Sequence, residues 1–432
     1  MLPALVAFAV SFLLIFCRVP VAIALAAVGF AGYWVLLGLQ PAMTMVSITA
    51  SGNTLSYSLS VVPLFVLMGN LIAGAGVARD LYAAAQAFVG RMRGGLAMAT
   101  ILSSGGFAAV SGSTVATAVT IGKIAIPTMR KYGYSDGLNT ATVAAGATLG
   151  ILIPPSVIMV VYGIQTETSI GRLFAAGILP GILGILFYGA AVAWVVWRRP
   201  ESAPAASEGT SWAQKWDAVK RTWLVVALFA VVLGGIYGGW FTATEAGGIG
   251  AVGGLVVAMI RRTSAAQLFE IFKDTVQMSA MLFALIVGAG IFSELINLTG
   301  ADKAVLSFLN EIGVSATVTI TAIIIIYILL GAVMDELSMI LLTLPIFFPI
   351  VIGLGYDPVW FGILVVMMVE LGLIVPPMAL NLFIVRGIAP DVPLGVIFRG
   401  IIPFVVVDIV RVALIVAVPA VVLWLPNQLF GA

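Results

Sequence analysis

The sequence contains no histidine, a single cysteine and few charged residues. Among its 432 residues, Cys17 is the only cysteine, and charged side chains make up 9%. The lack of histidine excludes Ser-His-Asp catalysis, imidazole metal sites and histidine proton relays. One cysteine excludes a disulfide within the chain, and a soluble domain would carry about a quarter charged residues. The composition therefore indicates neither a soluble enzyme nor a disulfide-stabilised secreted domain.

Apolar residues take the place of the missing charges. They make up 62% of the chain, and the mean hydropathy is +1.19. The long apolar runs occupy residues 2–17, 61–75, 173–197, 223–234, 320–330 and 401–424. The longer runs approach the roughly 20 residues that a membrane-spanning helix needs. No Lys or Arg precedes the first run, and no small-residue cleavage site follows it, so we expect it to be retained as a helix. An all-α, polytopic membrane protein is predicted.

The 20 basic residues predict an orientation, because Lys and Arg are enriched in cytoplasmic loops. With the N-terminus outside, 16 of them fall on the inner side, two on the outer side and two within membrane segments. In this topology, segment 96–130 is a re-entrant hairpin that opens inward, and a second hairpin near 320–350 opens outward. The polar segment 198–221 then forms a flexible cytoplasmic linker.

An internal repeat relates the two halves of the chain. When position 127 is placed on position 349, segment 127–155 aligns with 349–377 without a gap, and 8 of these 29 positions are identical. Because the hairpins open to opposite sides, the repeats are predicted to be inverted. Inverted repeats with matched Gly/Pro interruptions indicate a secondary transporter and its binding site. A duplicated pair of kinked helices without a site is the alternative.

The interruptions are "LGILIPPS" at 149–156 and its near copy "LGLIVPPM" at 371–378. Proline breaks the helical hydrogen-bond ladder, which frees backbone carbonyls. Such groups are tolerated at membrane depth only beside protein or a cavity. Freed carbonyls and hydroxyls suit a cation such as sodium, and half-helix N-termini suit a carboxylate. Each interruption is therefore a candidate binding region.

Polar residues in the hairpins supply further candidates. The stretch "SGST" at 111–114 is a polar patch inside an apolar hairpin, and Thr117 and Thr120 follow it at helical spacing. Small polar residues also serve helix packing, and for Thr117 and Thr120 both interpretations stay open. In the second half, Asp335 takes the position that Ser113 has in the first. For Glu336 beside it, one interpretation is that it simply faces water at the hairpin tip. Carboxylates within membrane segments are functional by default.

Four further charged residues lie within predicted membrane segments. Glu370 takes the position that Thr148 has in the first repeat, and three roles are open for it: cation ligand, proton-coupled group or structural partner. Asp408 and Arg411 are close in sequence on one helix and are expected to pair with each other. Lys123 is expected either to snorkel toward the surface or to balance a carboxylate.

Several motifs, in this order, resemble the large membrane (M) subunit of tripartite ATP-independent periplasmic, or TRAP, transporters. They are "SGSTVATA", "GATLGILIPPS", "YGIQTETSIGRLFAAGILPG", "MDELSMILLTLPI" and "LGLIVPPM". The resemblance covers nearly the whole chain. It implies an elevator-type fold of the ion-transporter superfamily, with no enzymatic activity and no cofactor beyond a coupling sodium ion.

The resemblance also implies a transport cycle and partners. A carboxylate-bearing solute would be imported across the bacterial inner membrane by sodium symport. A periplasmic solute-binding (P) protein would deliver it, and a separate small four-helix membrane (Q) subunit would complete the complex. By motif, the sodium sites would include Ser111, Gly112, Ser113, Thr114, Gly146, Thr148, Gly150, Asp335, Glu370 and Gly372. The solute would lie near Ser113, Thr148, Pro154, Pro155, Ser156, Pro376 and Pro377.

The predicted domain organisation alternates scaffold and transport segments. Scaffold helices occupy 1–76, 173–300 with the linker 198–221, and 394–432; arm helices occupy 77–95 and 301–314; the transport domain comprises 96–172 and 315–393. Three alternatives stay open: a binding-protein-independent sodium/dicarboxylate symporter of the same superfamily, an integral membrane enzyme, and a channel. Paired, inverted sites disfavour the channel, and the missing catalytic residues disfavour the enzyme.

Overall fold

The protein is all-α in the part of the chain that its computed structural model describes, residues 2–204, 211–376 and 379–431. These residues form twenty α-helices and three short 3₁₀ segments (57–60, 149–151 and 200–202). The helices are α1 (Leu2–Phe16), α2 (Val21–Leu37), α3 (Leu39–Thr54), α4 (Val61–Gly74), α5 (Val77–Val89), α6 (Gly95–Ser111), α7 (Thr114–Lys131), α8 (Asp136–Thr148), α9 (Val157–Gln165), α10 (Ile170–Arg198), α11 (Trp212–Tyr237), α12 (Ala243–Ile260), α13 (Ala265–Thr299), α14 (Ala301–Glu311), α15 (Ala316–Gly331), α16 (Glu336–Gly353), α17 (Pro358–Gly372), α18 (Leu380–Ile388), α19 (Leu394–Ala417) and α20 (Ala420–Phe430). Among the described residues, seven helices are long and apolar enough to cross a membrane.

The predicted hairpins and broken helices are present. Helices α6 and α7 form the first hairpin, and α15 and α16 form the second. The first broken helix is α8 and α9, interrupted at 149–156, and the second is α17 and α18. Helices α7 and α16 begin at equivalent positions of the repeat, as do α8 and α17. The repeat read from the sequence therefore coincides with repeated structure.

The two repeats pack as a symmetric pair. Helix α7 packs on α18, and its repeat counterpart α16 packs on α9. In the same way, α8 contacts α18 and α19, whereas α17 contacts α9 and α10. Each of these helix–helix contacts in one half has an equivalent contact in the other half. The repeats are thus related by an approximate two-fold axis, which passes between the broken helices.

The remaining helices pack mainly on one another. Helix α13 packs on α2, α3 and α4, and α12 packs on α4 and α11. Of the two predicted arm helices, α5 contacts α6, α7 and α11, and α14 contacts α16. The predicted scaffold segment 173–300 includes α10, and the segment 394–432 includes α19, yet both helices pack on the broken helices. The division into moving and static parts stays a prediction, as do the crossing directions.

Two helix predictions were wrong. The predicted topology places Arg18 inside and the run 61–75 as the next inward crossing, which requires one returning helix between them, but α2 and α3 both lie there, separated at Gly38. Helix α3 has a lower apolar content than its neighbours, which is why no apolar run marked it. The C-terminal segment 394–432 is not one helix, because the chain breaks between α19 and α20 at Pro419, which lacks the N–H that a continuous helix requires. Residues 205–210 of the predicted linker lie outside the described residues.

Candidate functional site

The tip of the first hairpin fits against the first helix break. Gly112 lies at this tip with φ +57°, a left-handed conformation that favours glycine. A Cβ atom on Gly112 would lie 3.1 Å from the carbonyl oxygen of Pro155, and one on Gly150 would lie 3.2 Å from that of Ser113. Backbone therefore meets backbone here, and the structure brings these four candidate residues together.

Hydroxyl groups organise the first tip. Ser113 caps α7, because its hydroxyl accepts a hydrogen bond from the backbone N–H of Ala116 at 3.3 Å. Thr117 donates to the carbonyl oxygen of Ser113 at 2.8 Å, and its hydroxyl lies 2.9 Å from that of Ser111. Thr117 is thus part of the tip, and its hydroxyl links Ser111 to Ser113.

The second tip has the same construction with a charged cap. Asp335 caps α16, since its carboxylate accepts the backbone N–H of Ser338 at 3.1 Å and also the Ser338 hydroxyl. Asp335 therefore takes the role that Ser113 has in the first repeat. A cation beside the second tip would face a full negative charge, whereas one beside the first would face neutral oxygen atoms.

The two tips contact each other through their first helical residues. The hydroxyl of Thr114, which begins α7, donates to the carboxylate of Glu336, which begins α16, at 3.2 Å. Thr114 is buried and Glu336 is half-buried. Glu336 therefore does not simply face water. It lies where the N-termini of two helices converge.

Glycine also permits close approach elsewhere in the candidate regions. A Cβ on Gly372, at the end of α17, would lie 2.6 Å from the Cα of Gly331 in the second hairpin. A Cβ on Gly146 would lie 2.8 Å from the hydroxyl oxygen of Ser104 in the first hairpin. Each hairpin thus packs closely on the helix that precedes the break. Pro376 is exposed in the second break, and Pro377 lies outside the described residues.

A buried polar network lies on the axis between the repeats. Thr148 ends α8, and its hydroxyl donates to the carboxylate of Glu370 in α17 at 3.0 Å. Arg411 donates to the other oxygen of Glu370 and lies 2.8 Å from Asp408. Tyr188 donates to Asp408, and its hydroxyl lies 3.1 Å from that of Thr148. None of the charged members is more than 1% exposed. The expected pairing of Asp408 with Arg411 is confirmed.

Some predicted solute contacts are enclosed in this conformation. Pro154, Pro155 and Ser156 are buried, and the Ser156 hydroxyl caps α9 by accepting the N–H of Met159 at 3.4 Å. Thr148 is fully buried as well. Among the predicted solute residues that the structure describes, Ser113 and Pro376 retain exposed surface.

Sequence reasoning missed Tyr188 and the contact between the tips. Both signals were available in the repeat. Thr114 and Glu336 are equivalent positions of the two halves, as are Thr148 and Glu370. Further along, the repeat continues with a shift of one residue, which places "GILPG" (177–181) on "GIIPF" (400–404) and Tyr188 on Arg411. The Arg411 guanidinium lies 5.6 Å from the centre of the Tyr188 ring. Three pairs of equivalent positions thus meet on the axis.

The base of the first hairpin is held by ion pairs. Arg130, near the end of α7, contacts Asp391 at 2.6 Å and Asp136 at 2.8 Å. Its hydrogen bonds lower the pKa of Asp391, which lies in the turn between α18 and α19. At pH values above the ordinary pKa of aspartate this contact therefore stabilises the folded state, and the stabilisation is lost as the pH falls through the lowered pKa of Asp391.

Among the described residues, no carboxylate forms an ion pair with Lys123, which lines a cavity of about 480 Å³ with Arg79, Arg261 and Arg262.

Two symmetric repeats, each with a hairpin tip seated beside a broken helix, define a class of multi-pass membrane proteins, the secondary transporters. Within it, the chain belongs to the family described as Tripartite ATP-independent periplasmic transporter, DctM component, which it matches over residues 8–421. The resemblance that the motifs suggested is confirmed.

Curated relatives agree with this assignment, and a solved structure shares the fold. The C4-dicarboxylate TRAP transporter large permease protein DctM of Pseudomonas aeruginosa is 37% identical over 378 residues, 86% of this chain and 87% of that protein. The ectoine TRAP transporter large permease protein TeaC of Halomonas elongata is 31% identical over 415 residues, 95% of this chain and 96% of that one. The YdaH transporter of Alcanivorax borkumensis shares the fold, with a TM-score of 0.61 at 16% identity and 89% coverage of both chains.

Membership in this family settles the broad role of the chain. It is the large permease subunit of a transporter whose family works with a small membrane component and a periplasmic binding protein. The relatives are transport permeases, so an integral membrane enzyme is excluded.

Proposed function

We propose that this chain imports a small carboxylate-bearing solute by sodium-coupled symport across a bacterial inner membrane. Its N-terminus lies in the periplasm, a periplasmic binding protein delivers the solute, and a small four-helix membrane subunit completes the complex. The observation that carries this proposal is the seating of the first tip against the first break, where Gly112 meets Pro155 and Gly150 meets Ser113. Backbone and hydroxyl oxygen atoms gather there, and oxygen atoms of this kind suit a sodium ion.

Sodium is assigned to two related regions. The first ion lies against the tip residues Ser111, Gly112, Ser113 and Thr114 and the segment 146–151; the second lies near Asp335 and the segment 370–374. The side chain of Glu370 is not one of the sodium ligands in this proposal, because both of its carboxylate oxygen atoms already have hydrogen-bond partners. The Thr148 hydroxyl is likewise engaged by Glu370 and Tyr188.

The solute is placed between the two tips. Helices α7 and α16 begin there, and helix N-termini attract a carboxylate. The enclosed positions of Pro154, Pro155 and Ser156 assign them to the wall of the first break rather than to direct contact with the solute.

Transport then proceeds by an elevator movement. The moving body contains both hairpins and both broken helices, and the arm helices α5 and α14 connect it to the scaffold. We add α10 and α19 to this body, because both pack against the broken helices and carry the buried network that joins them.

Reconstitution in proteoliposomes tests the proposal. The chain, its small membrane subunit and its binding protein are expected to take up solute only with an inward sodium gradient. Replacing Ser113 or Asp335 with alanine should raise the half-saturating sodium concentration without reducing expression. Ser315→Ala is the matched control, because it removes a cap from α15, at the base of a hairpin rather than at its tip. Unchanged sodium dependence in both tip variants would refute the site.

The same experiment separates the alternative transporter. A binding-protein-independent sodium/dicarboxylate symporter would transport at full rate when the binding protein is left out. We expect uptake to be lost under that condition.

A further inference from the structure

We propose that Tyr188, Asp408 and Arg411 are positioning residues that hold the two helix breaks in the geometry that binds sodium. They belong to α10 and α19, outside both broken helices, and all three are buried. The inference rests on the sodium coupling proposed above. It assigns a role to side chains that touch neither a sodium ion nor the solute.

The network reaches both breaks through one residue on each. Thr148 is the last residue of α8, directly before the first break, and Glu370 lies in the last turn of α17. The Thr148 hydroxyl donates a hydrogen bond to the Glu370 carboxylate at 3.0 Å. Arg411 donates a hydrogen bond to the Glu370 carboxylate. The Tyr188 hydroxyl donates to Asp408 and lies 3.1 Å from the Thr148 hydroxyl. The five side chains thus tie one break to the other.

Charge makes Arg411 the centre of this arrangement. It faces two carboxylates, Glu370 and Asp408, in a region where none of the three is more than 1% exposed. Without the guanidinium, two buried carboxylates would repel each other, and Glu370 would leave its contact with Thr148. A single guanidinium nitrogen, Nη2, contacts both carboxylates, so losing this one side chain removes both ion pairs.

Helix α10 makes room for this guanidinium at Gly184. A Cβ atom there would lie 2.1 Å from Nη1 of Arg411 and 2.7 Å from Leu149, the first residue of the break. The same atom on Gly189, further along α10, would meet only the sulfur of Met98 at 3.5 Å, an ordinary contact. Gly184→Ala therefore crowds both Arg411 and Leu149 without changing any polar group, and Gly189→Ala is its matched control.

Tyr188 has a matched control as well. Tyr327 is a buried tyrosine whose hydroxyl lies 2.7 Å from that of Thr343 in the second hairpin. Tyr188→Phe and Tyr327→Phe each remove one buried hydroxyl that lies beside a threonine hydroxyl. Only the first of these hydroxyls belongs to the network on the axis.

Binding of ²²Na⁺ to the full-length chain with its small membrane subunit in lipid nanodiscs tests the inference. Mutation of residues that orient metal ligands typically lowers metal affinity by about 10–100-fold. We expect Tyr188→Phe and Gly184→Ala to raise half-saturating sodium by about tenfold or more, with the number of bound ions unchanged at saturation. Tyr327→Phe and Gly189→Ala should remain within about twofold of the wild type, on the same scale.

The outcomes separate this inference from the proposed function. If the wild type binds sodium and the Tyr188 and Gly184 variants bind it equally well, the positioning role is wrong and sodium coupling stands. If the wild type binds no sodium, both are overturned. If the control variants lose sodium affinity as much as the test variants, the effect is a general loss of packing, and the positioning role is again wrong.

Discussion

The contact between Gly372 and Gly331 allows a quantitative test of how closely the second hairpin must pack on its broken helix. We consider Gly372→Ala, which adds one methyl group at the end of α17. The added Cβ would lie 2.6 Å from Cα, 2.8 Å from the carbonyl carbon and 3.1 Å from the carbonyl oxygen of Gly331. All three obstructing atoms belong to the backbone, so no side-chain rotation can relieve the clash.

The expected cost follows from these distances. Carbon atoms in contact are about 3.5–4.0 Å apart, so α15 must withdraw by roughly 1 Å. Overpacking of this kind costs about 1–3 kcal/mol, and a rigid backbone favours the upper part of that range. Alanine regains up to about 1 kcal/mol of helix propensity over glycine. A net destabilisation of about 1–2 kcal/mol remains.

Gly387→Ala is the control for this substitution. Gly387 lies in α18 of the same broken helix, and a Cβ there would meet no heavy atom within 4 Å. It should gain up to about 1 kcal/mol of helix propensity without a clash. The two variants are compared by denaturant unfolding in detergent, followed by tryptophan fluorescence. Equal free energies of unfolding would show that the hairpin does not pack on α17 as described.

Three further predictions concern charged and capping residues. Asp335→Asn should raise half-saturating sodium more than Ser113→Ala, because only the aspartate supplies a full charge; ²²Na⁺ binding measures both, and equal shifts would contradict the asymmetry between the tips. Arg411→Met should lower the free energy of unfolding by about 3–5 kcal/mol, because two buried carboxylates lose their partner; a loss below about 1 kcal/mol in denaturant unfolding would refute this. Glu336→Gln should strengthen competition by a dicarboxylate in uptake assays, since it removes a negative charge from the converging helix N-termini; weaker competition would argue against solute binding between the tips.

The helix breaks and hairpin tips could be predicted from the sequence because glycine and proline interrupt apolar runs at these positions. "LGILIPPS" marked the first break, and the internal repeat placed the second break and both tips. Helix α3 left no such mark, because its polar residues, among them Gln40 and Asn53, hide a helix from a search for apolar runs. Pro419 was overlooked inside a run that is apolar on both sides.

The candidate site was predictable in its regions but not in its bonding. Ser113 and Asp335 were found because hairpin tips are local in sequence. The roles of Glu370 and Tyr188 depend on Arg411, which approaches them only when α19 packs on α17 and α10. Such partners are set by tertiary packing, so a single sequence shows the residue types without showing which of them meet.

The axis contacts have a consequence for how such a chain could arise. In a dimer of identical half-length chains, each residue on the dyad would face its own copy. A glutamate at the position of Glu370 would then meet a second glutamate in a buried interface, at a cost that neither copy could relieve alone. Joined in one chain, the two positions are free to differ, and here they hold Thr148 and Glu370. Fusion of the halves is therefore what permits a donor on one side of the dyad and an acceptor on the other, and it makes the two halves complementary where identical ones would conflict.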